Sequence, residues 1–283
     1  MLRLLLWLLV LVALSLCSAA LYGGRRWRIE TQRLRSRLET ARDPLSPAVF
    51  DPAELEGLPP PVRRYFDAVL RPGQSLISGV HLRQTGRFNS SEEGERWAPF
   101  AATQVVTTRP PGFDWDARVR MAPGLTAFVH DAFVDGEGLL HASLAGLFTV
   151  AQARGTPEAA HGELMRYLAE AAWFPTALLP SQGVRWQGLD EHSARATLTD
   201  GATTVSLDFG FGADGLIETA RAAARYRKVG DAAVPTPWLG RFARYEMWDG
   251  LLVPTDGEVA WIFPEGPRPY WRGTITALEY ELA

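Results

Sequence analysis

From Phe113 to Met121 apolar and charged residues alternate without a slip, as Phe-Asp-Trp-Asp-Ala-Arg-Val-Arg-Met. That period belongs to a β-strand with one face buried and one face polar, because a helix would spread the charges around its circumference. Comparable runs occur at Val80 to Phe88, Ala101 to Thr108, Ala127 to Val134, Leu139 to Leu144, Ala194 to Leu198 and Thr204 to Phe211. Others follow at Leu216 to Tyr226, Phe242 to Met247, Leu251 to Pro254, Gly257 to Phe263 and Trp271 to Leu282. Asp135-Gly136, Asp200-Gly201, Asp214-Gly215 and Asp249-Gly250 separate several of them. These dipeptides tolerate positive φ in tight hairpins, so neighbouring strands are expected to pair antiparallel, with a meander as the simplest order.

Three stretches break the period of two. Asp51-Pro52 with Glu54 reads as a capped helical turn, and Pro59-Pro60-Pro61 opens a short helix with Val62, Tyr65, Phe66, Val69 and Leu70 on one face, a docking collar. A longer helix over 157–174 is announced by Thr156 as cap and Pro157 at its first position, and carries Leu164, Leu168 and Ala171 along one stripe. Such a helix needs a sheet to cover. The expected fold is therefore α+β and mainly β, a curved antiparallel sheet, or half-barrel, covered by one central helix and preceded by an N-terminal transmembrane helix.

The run from Leu4 to Tyr22 holds no charge over 19 residues, enough for a helix of about 28 Å against a hydrocarbon core of about 30 Å. A cleaved signal peptide competes with this anchor, since Arg3 gives a positive start and Ser18, Ala19 and Ala20 are small. A lipoprotein signal fits less well, because Leu16 precedes Cys17. The segmentation read from the chain is an anchor over 1–24, a basic stalk and linker over 25–50, and one β domain over 51–283. Arg25, Arg26 and Arg28 are the expected membrane-surface residues. With Trp27, Leu34, Leu38 and Ala41 at helical spacing, the stalk suits either anionic headgroups or plain solvent. The positive-inside rule would put the domain in the cytoplasm, since Arg25, Arg26, Arg28, Arg33, Arg35, Arg37 and Arg42 all follow the apolar run.

Gly162 to Glu170, followed by Trp173-Phe174-Pro175-Thr176-Ala177-Leu178, resembles an uncharacterised bacterial family known only as a domain of unknown function. The resemblance runs on through Trp186, Thr204 to Phe211 and Gly240 to Pro254, covering roughly residues 55–283. It implies membrane segments and assigns no reaction. The sheet-plus-helix pattern is also similar to the lipoprotein-carrier half-barrels of the bacterial envelope, which hold acyl chains in an apolar trough. That likeness implies a domain on the extracytoplasmic, periplasmic side, and it is preferred here to the charge rule.

Glu163, Arg166 and Glu170 lie three and four apart, on one face of the predicted helix. They form either an exposed ion-pair ladder or a charged grip at the mouth of the trough, with Trp173, Phe174 and Trp238 as further ligand-binding candidates. Pro237-Trp238-Leu239-Gly240 also reads as a turn whose Trp dips into membrane as a lip. With 10 Trp and 13 Phe the chain can line an apolar site or build a thick core.

Five histidines show no ligand spacing, and the single cysteine lies in the apolar run, so no metal site is expected and no disulfide in the folded part. His130-Asp131 are neighbours on a strand, which sends them to opposite faces. No nucleophile elbow, phosphate loop or complete dinucleotide fingerprint occurs, so no cofactor is expected. Net charge of -3 offers no field for nucleic acid. The leading expectation is a membrane-anchored, non-enzymatic binder of a lipid or amphipathic molecule. The alternatives are an enzyme on a lipid-like or glycan substrate using Glu163 or Glu170 with Arg166, and a protein-interaction or sensor module.

Overall fold

A computed structural model of the chain describes all residues except Ser90, Glu92, Glu93 and Asp231. Its strands are β1 (Ile77–Asn89), β2 (Trp97–Thr107), β3 (Gly112–Ala122), β4 (Leu125–Val134), β5 (Glu137–Leu144), β6 (Phe148–Arg154) and β7 (Arg185–Gly188). Then come β8 (Ser193–Asp200), β9 (Thr203–Phe211), β10 (Ile217–Val229), β11 (Ala232–Trp248), β12 (Leu251–Phe263) and β13 (Gly266–Leu282). The helices are α1 (Leu2–Thr40), α2 (Pro60–Val69) and α3 (Pro157–Glu170). The strands form one antiparallel, unclosed curved sheet in the order β6-β5-β4-β3-β2-β1-β13-β12-β11-β10-β9-β8-β7.

This is a meander cut into two arms. Each arm runs sequentially, as the hairpin signals imply, and Asp135-Gly136 and Asp249-Gly250 each place both residues at positive φ, the twist that suits two-residue hairpins. The join is not sequential. The first and last strands pair in the middle of the sheet, from Ile77 opposite Leu282 to Phe88 opposite Trp271. The outer edges are β6 and β7, and the chain between them carries α3 across the concave face, in contact with both arms.

The strict alternation at β3 sorts its two faces. Phe113, Trp115, Ala117 and Val119 are buried in the main core beneath α3, whereas Asp114 and Asp116 face α1. Thr156 caps α3 by accepting from the Ala159 amide at 3.2 Å, and Pro157 supplies its fixed φ. The collar helix α2 is buried more deeply than a collar needs to be, with Val62, Tyr65 and Phe66 fully enclosed.

Three sequence expectations change. The helix expected over 157–174 ends at Glu170 and gives way to a 3-10 turn over Ala171–Trp173, while two edge strands outside the runs read from the sequence, β6 and β7, complete the sheet, β6 largely exposed and β7 only four residues long. β12 is continuous through Thr255-Asp256. Pro237-Trp238-Leu239-Gly240 is strand, inside β11, with Trp238 opposite Trp261 and 4% exposed. The Pro-rich stretch is accommodated because β10 bulges between Ala222 and Arg225, just opposite Thr236 to Trp238. Trp238 is therefore no membrane lip.

α1 runs unbroken from the apolar segment into the basic stalk. No residue before Gly23 is buried, and from there Gly23, Trp27, Thr31, Leu34 and Leu38 form one buried stripe on the convex face of the sheet. Leu34 and Leu38 pack with Ala132, Val134 and Leu139. Burial of a leucine contributes about 1.5–3 kcal/mol, against about 1 kcal/mol for each basic residue held near an anionic surface. That difference explains why the stalk's apolar face meets the sheet and neither headgroups nor solvent.

Candidate functional site

The concave face holds a trough between α3 and strands of both arms, open on one side and enclosing about 140 Å³. Trp115, Trp173, Trp238, Phe242, Tyr270 and Trp271 supply most of its wall. Glycines make room for these rings. Gly86, Gly273 and Gly257 stand in register across β1, β13 and β12, and a Cβ on Gly257 would come within 3.1 Å of the Trp271 ring and 3.5 Å of Trp173. A row of glycines lets a sheet bend and lets an indole lie on bare backbone.

Two polar clusters interrupt the apolar wall. In the first, Arg166 donates to Asp131 and to Glu170, each at 2.7 Å, while Gln104 donates to the other oxygen of Glu170 at 2.6 Å. The guanidinium also lies 5.0 Å from the ring centre of Phe113 and 4.9 Å from that of Trp115. Burial works against the charge on Arg166, but Glu170, Asp131 and Glu163 outweigh it and raise its pKa. Asp131 thus reaches the trough while His130, one residue earlier, faces α1, as strand alternation requires.

In the second cluster, Arg225 stands 3.9 Å from Glu163 and donates to the Tyr270 hydroxyl at 3.2 Å, which also accepts from Trp238 Nε1 at 2.9 Å. Burial, with the Asp131 charge adding to it, pushes the Glu163 carboxyl up to about 8 despite Arg225 and Arg166. Two buried polar atoms beside the trough have no partner among the described residues, Glu163 Oε2 and the Trp173 indole N–H.

The sequence candidates therefore separate. Arg166, Glu170, Trp173 and Trp238 line the trough together. Glu163 lies behind Arg225 and is not part of the lining, and Phe174 is fully buried against Tyr167. The ladder expected on α3 is buried, and Arg166 is too fully engaged to grip a headgroup. Arg241 does not supply that grip either: it alternates with Trp238, Gly240 and Phe242 and stands in register with Glu258, the partner of Arg272, on the opposite face of the sheet. Among the described residues no group of three His, Cys, Asp or Glu is placed to hold a metal ion.

On the convex face a second polar network joins α1 to the sheet. Asp114 accepts from Arg35 Nε at 2.8 Å and pairs with His130 Nδ1 at 2.8 Å, and His130 Nε2 meets Thr31 Oγ1 at 3.2 Å. Asp116 accepts from Trp27 Nε1 at 2.9 Å and from Thr31 at 3.1 Å, and also pairs with Arg118. Burial would raise the Asp116 carboxyl, but Arg118, His130 and Trp27 overcome it and lower the pKa. The Trp27 indole lies flat on the His130 ring, 4.5 Å between centres. The order Thr31, His130, Asp114 mimics a nucleophile–base–acid series, yet His130 and Asp114 are 0% exposed under the helix, and a substrate has no access to them.

The fold and trough define a class, a curved antiparallel sheet around one helix, joined to an N-terminal helix long and apolar enough to cross a membrane. Residues 56–280 match a family of unknown function, DUF6920, and the chain belongs to that family. The resemblance carried by Gly162 to Leu178 lies within this match. No curated protein matches the chain. Two of the similar solved structures illustrate the likeness. One is a LolA superfamily protein from Nitrosomonas europaea, 9% identical with a TM-score of 0.40, the match covering 79% of this chain and 93% of that one. The other is a beta-barrel-like protein of domain of unknown function DUF1849 from Brucella abortus, 9% identical with a TM-score of 0.26, covering 73% and 99%.

Proposed function

We propose that the concave trough is a binding site for an amphipathic, lipid-like molecule, with the apolar part against Trp115, Trp238, Phe242 and Trp271 and the polar part beside Arg225 and the Trp173 indole N–H. The observation that carries this reading is an aromatic trough beside which two buried polar atoms, Glu163 Oε2 and the Trp173 indole N–H, have no partner among the described residues. Size limits the occupant. An engineered apolar cavity of about 150 Å³ takes one benzene, so 140 Å³ admits one apolar segment such as the end of a chain, and a whole lipid would need α3 to move. The Trp173 indole N–H, buried without a partner among the described residues, offers a donor to a ligand oxygen, because leaving it unpaired costs about 1–3 kcal/mol.

The test uses the full chain, because removing residues before 44 would strip the buried stripe of α1 from the sheet. Purified protein should carry lipid detectable by mass spectrometry after solvent extraction and should enhance the fluorescence of an apolar dye. Val259→Trp, which fills the trough, should reduce both. Folded protein that holds neither lipid nor dye would end this reading.

The same reading places the domain on the extracytoplasmic side. In its support, several arginines counted by the charge rule are partly neutralised: Arg35 by Asp114, Arg37 by Asp135 and Glu137, and Arg42 by Glu39 and Glu281. A reporter active only outside the cytoplasm, fused after Ala283, should be active, and a silent fusion with a competent cytoplasmic reporter would reverse the orientation. Glu163 supports a second reading, an enzyme in which this carboxyl carries a proton, since its titration lies near neutrality and one oxygen is unpartnered. It requires that Glu163→Gln abolish a turnover found with extracted lipids or glycans while leaving dye binding intact.

A further inference from the structure

A second concavity lies on the opposite face, where α1 leaves its apolar run. The helix meets the β5–β6 turn there. A Cβ on Gly23 would collide with the Ala145 carbonyl and touch the Leu147 side chain at 3.0 Å. The uncharged run ends at Gly24, just before Arg25, so this contact sits where a spanning helix would emerge into the headgroup layer. Beside it opens a cleft of about 650 Å³ between α1 and strands β5 and β6.

The cleft is cationic from two directions. Arg25, Arg26 and Arg33 reach it from the helix and Arg154 from β6, against Glu30 as the one carboxylate of its lining. Arg25, Arg26 and Arg154 make no ion pair among the described residues, while Arg33 lies 3.8 Å from Glu30. His141 forms part of the floor, bonded to Thr149 at 3.1 Å with its ring 5.0 Å from Trp27. Burial depresses the His141 pKa, and the charges of His130 and Arg26 lower it further, Glu30 opposing.

The surrounding surface fits a membrane. Ala127 pairs with Leu144, so the β3–β4 and β5–β6 turns project from the same end of the sheet. That end exposes Met121, Leu125 and Phe148, the last at 71%. Apolar tips beside a cluster of unpaired arginines are the composition of a surface that rests in headgroups.

We propose that this cleft binds the phosphate of an anionic phospholipid from the membrane that anchors α1. Arg154 closes the site from the sheet opposite Arg25 and Arg26. The site is separate from the concave trough, since its lining shares no residue with it. Bound lipid would tie the sheet to the bilayer at a second point, fixing the angle at which the domain stands.

Full-length protein released from nanodiscs of equimolar phosphatidylglycerol and phosphatidylcholine should retain phosphatidylglycerol preferentially in native mass spectrometry. Arg154→Gln is the decisive variant, because Arg154 is exposed and lies far from the stalk in sequence. Loss of one such contact should reduce the preference roughly fivefold, and Arg26→Gln should do the same. Val259→Trp, which blocks the trough, should leave the preference unchanged. Wild-type preference in the Arg154 variant would show that the stalk alone attracts anions and would overturn the proposal. Equal retention of phosphatidylcholine, displacement by 10 mM inorganic phosphate alone, or loss of the preference in Val259→Trp would each overturn it as well.

Discussion

The two faces of the sheet solve opposite problems with residues that alternate along β3. On the convex face Asp114 and Asp116 receive Arg35, His130, Thr31 and Trp27, so that α1 is held by a polar network whose donors and acceptors meet in pairs. On the concave face Trp115 and its neighbours wall a trough whose buried polar groups are incompletely matched, with Glu163 Oε2 and the Trp173 N–H left over among the described residues. A fully satisfied buried network fixes geometry, whereas one with unused groups is suited to receiving something.

The comparison breaks most sharply at Asp114. Asp114→Ala should cost about 3–5 kcal/mol, because it strands Arg35 and His130 without their carboxylate. Thermal melting should show the loss, and limited proteolysis should cut the stalk between residues 25 and 45 more rapidly. A variant as stable as wild type would mean that the convex network does not hold α1.

On the other face, Arg166→Met should cost about 3 kcal/mol at pH 8, since Asp131, Glu170 and Glu163 would share a low-dielectric space with Arg225 as the nearest remaining cation. Thermal melting measures the loss, and a variant as stable as the wild type would contradict the buried cluster.

Glu163 offers a finer test. Its folded value of about 8 exceeds the 4.5 of an ordinary glutamate, so the folded protein keeps a proton that the unfolded chain releases between those values. Stability of the wild type should therefore fall as pH rises through that window and be insensitive to this group below it. Glu163→Gln abolishes the titration, so urea unfolding should favour the variant increasingly from pH 5 to pH 8.5, by a difference on the order of 4 kcal/mol. A gap that is flat with pH would place the titration elsewhere.

The smallest effect belongs to Thr31→Val, which removes the hydroxyl shared by Asp116 and His130 and should cost about 1 kcal/mol. Dye binding in the trough should not change. If it does, the two faces are coupled through β3 and the separation drawn here fails.

Alternation alone gave the strands over 113–121 and most of their partners, because a residue's side of a strand is a local property of the backbone. Asp-Gly pairs marked hairpins for the same reason, and Thr156-Pro157 marked the start of α3. The family likeness carried by Gly162 to Leu178 was equally readable. Part of the trough was legible too, since Arg166, Glu170 and Trp173 sit on or beside one helix and their spacing brings them together.

What the sequence could not state is which distant segments meet. The pairing of β1 with β13 separates partners by about the whole domain, and no local preference encodes it. Burial of Leu34 and Leu38 on the sheet followed from that closure, since the convex surface they cover exists only once β2, β3 and β4 are assembled. Arg166 was visible as one member of a ladder, but its engagement by Asp131 and its place over two aromatic rings required the sheet beneath α3. Arg154 meets Arg25 and Arg26 only in space, across the cleft between α1 and β6. Periodicity and turn chemistry are local and so were written in the sequence, whereas burial and charge pairing depend on long-range packing and were decided only when the sheet curved around α3.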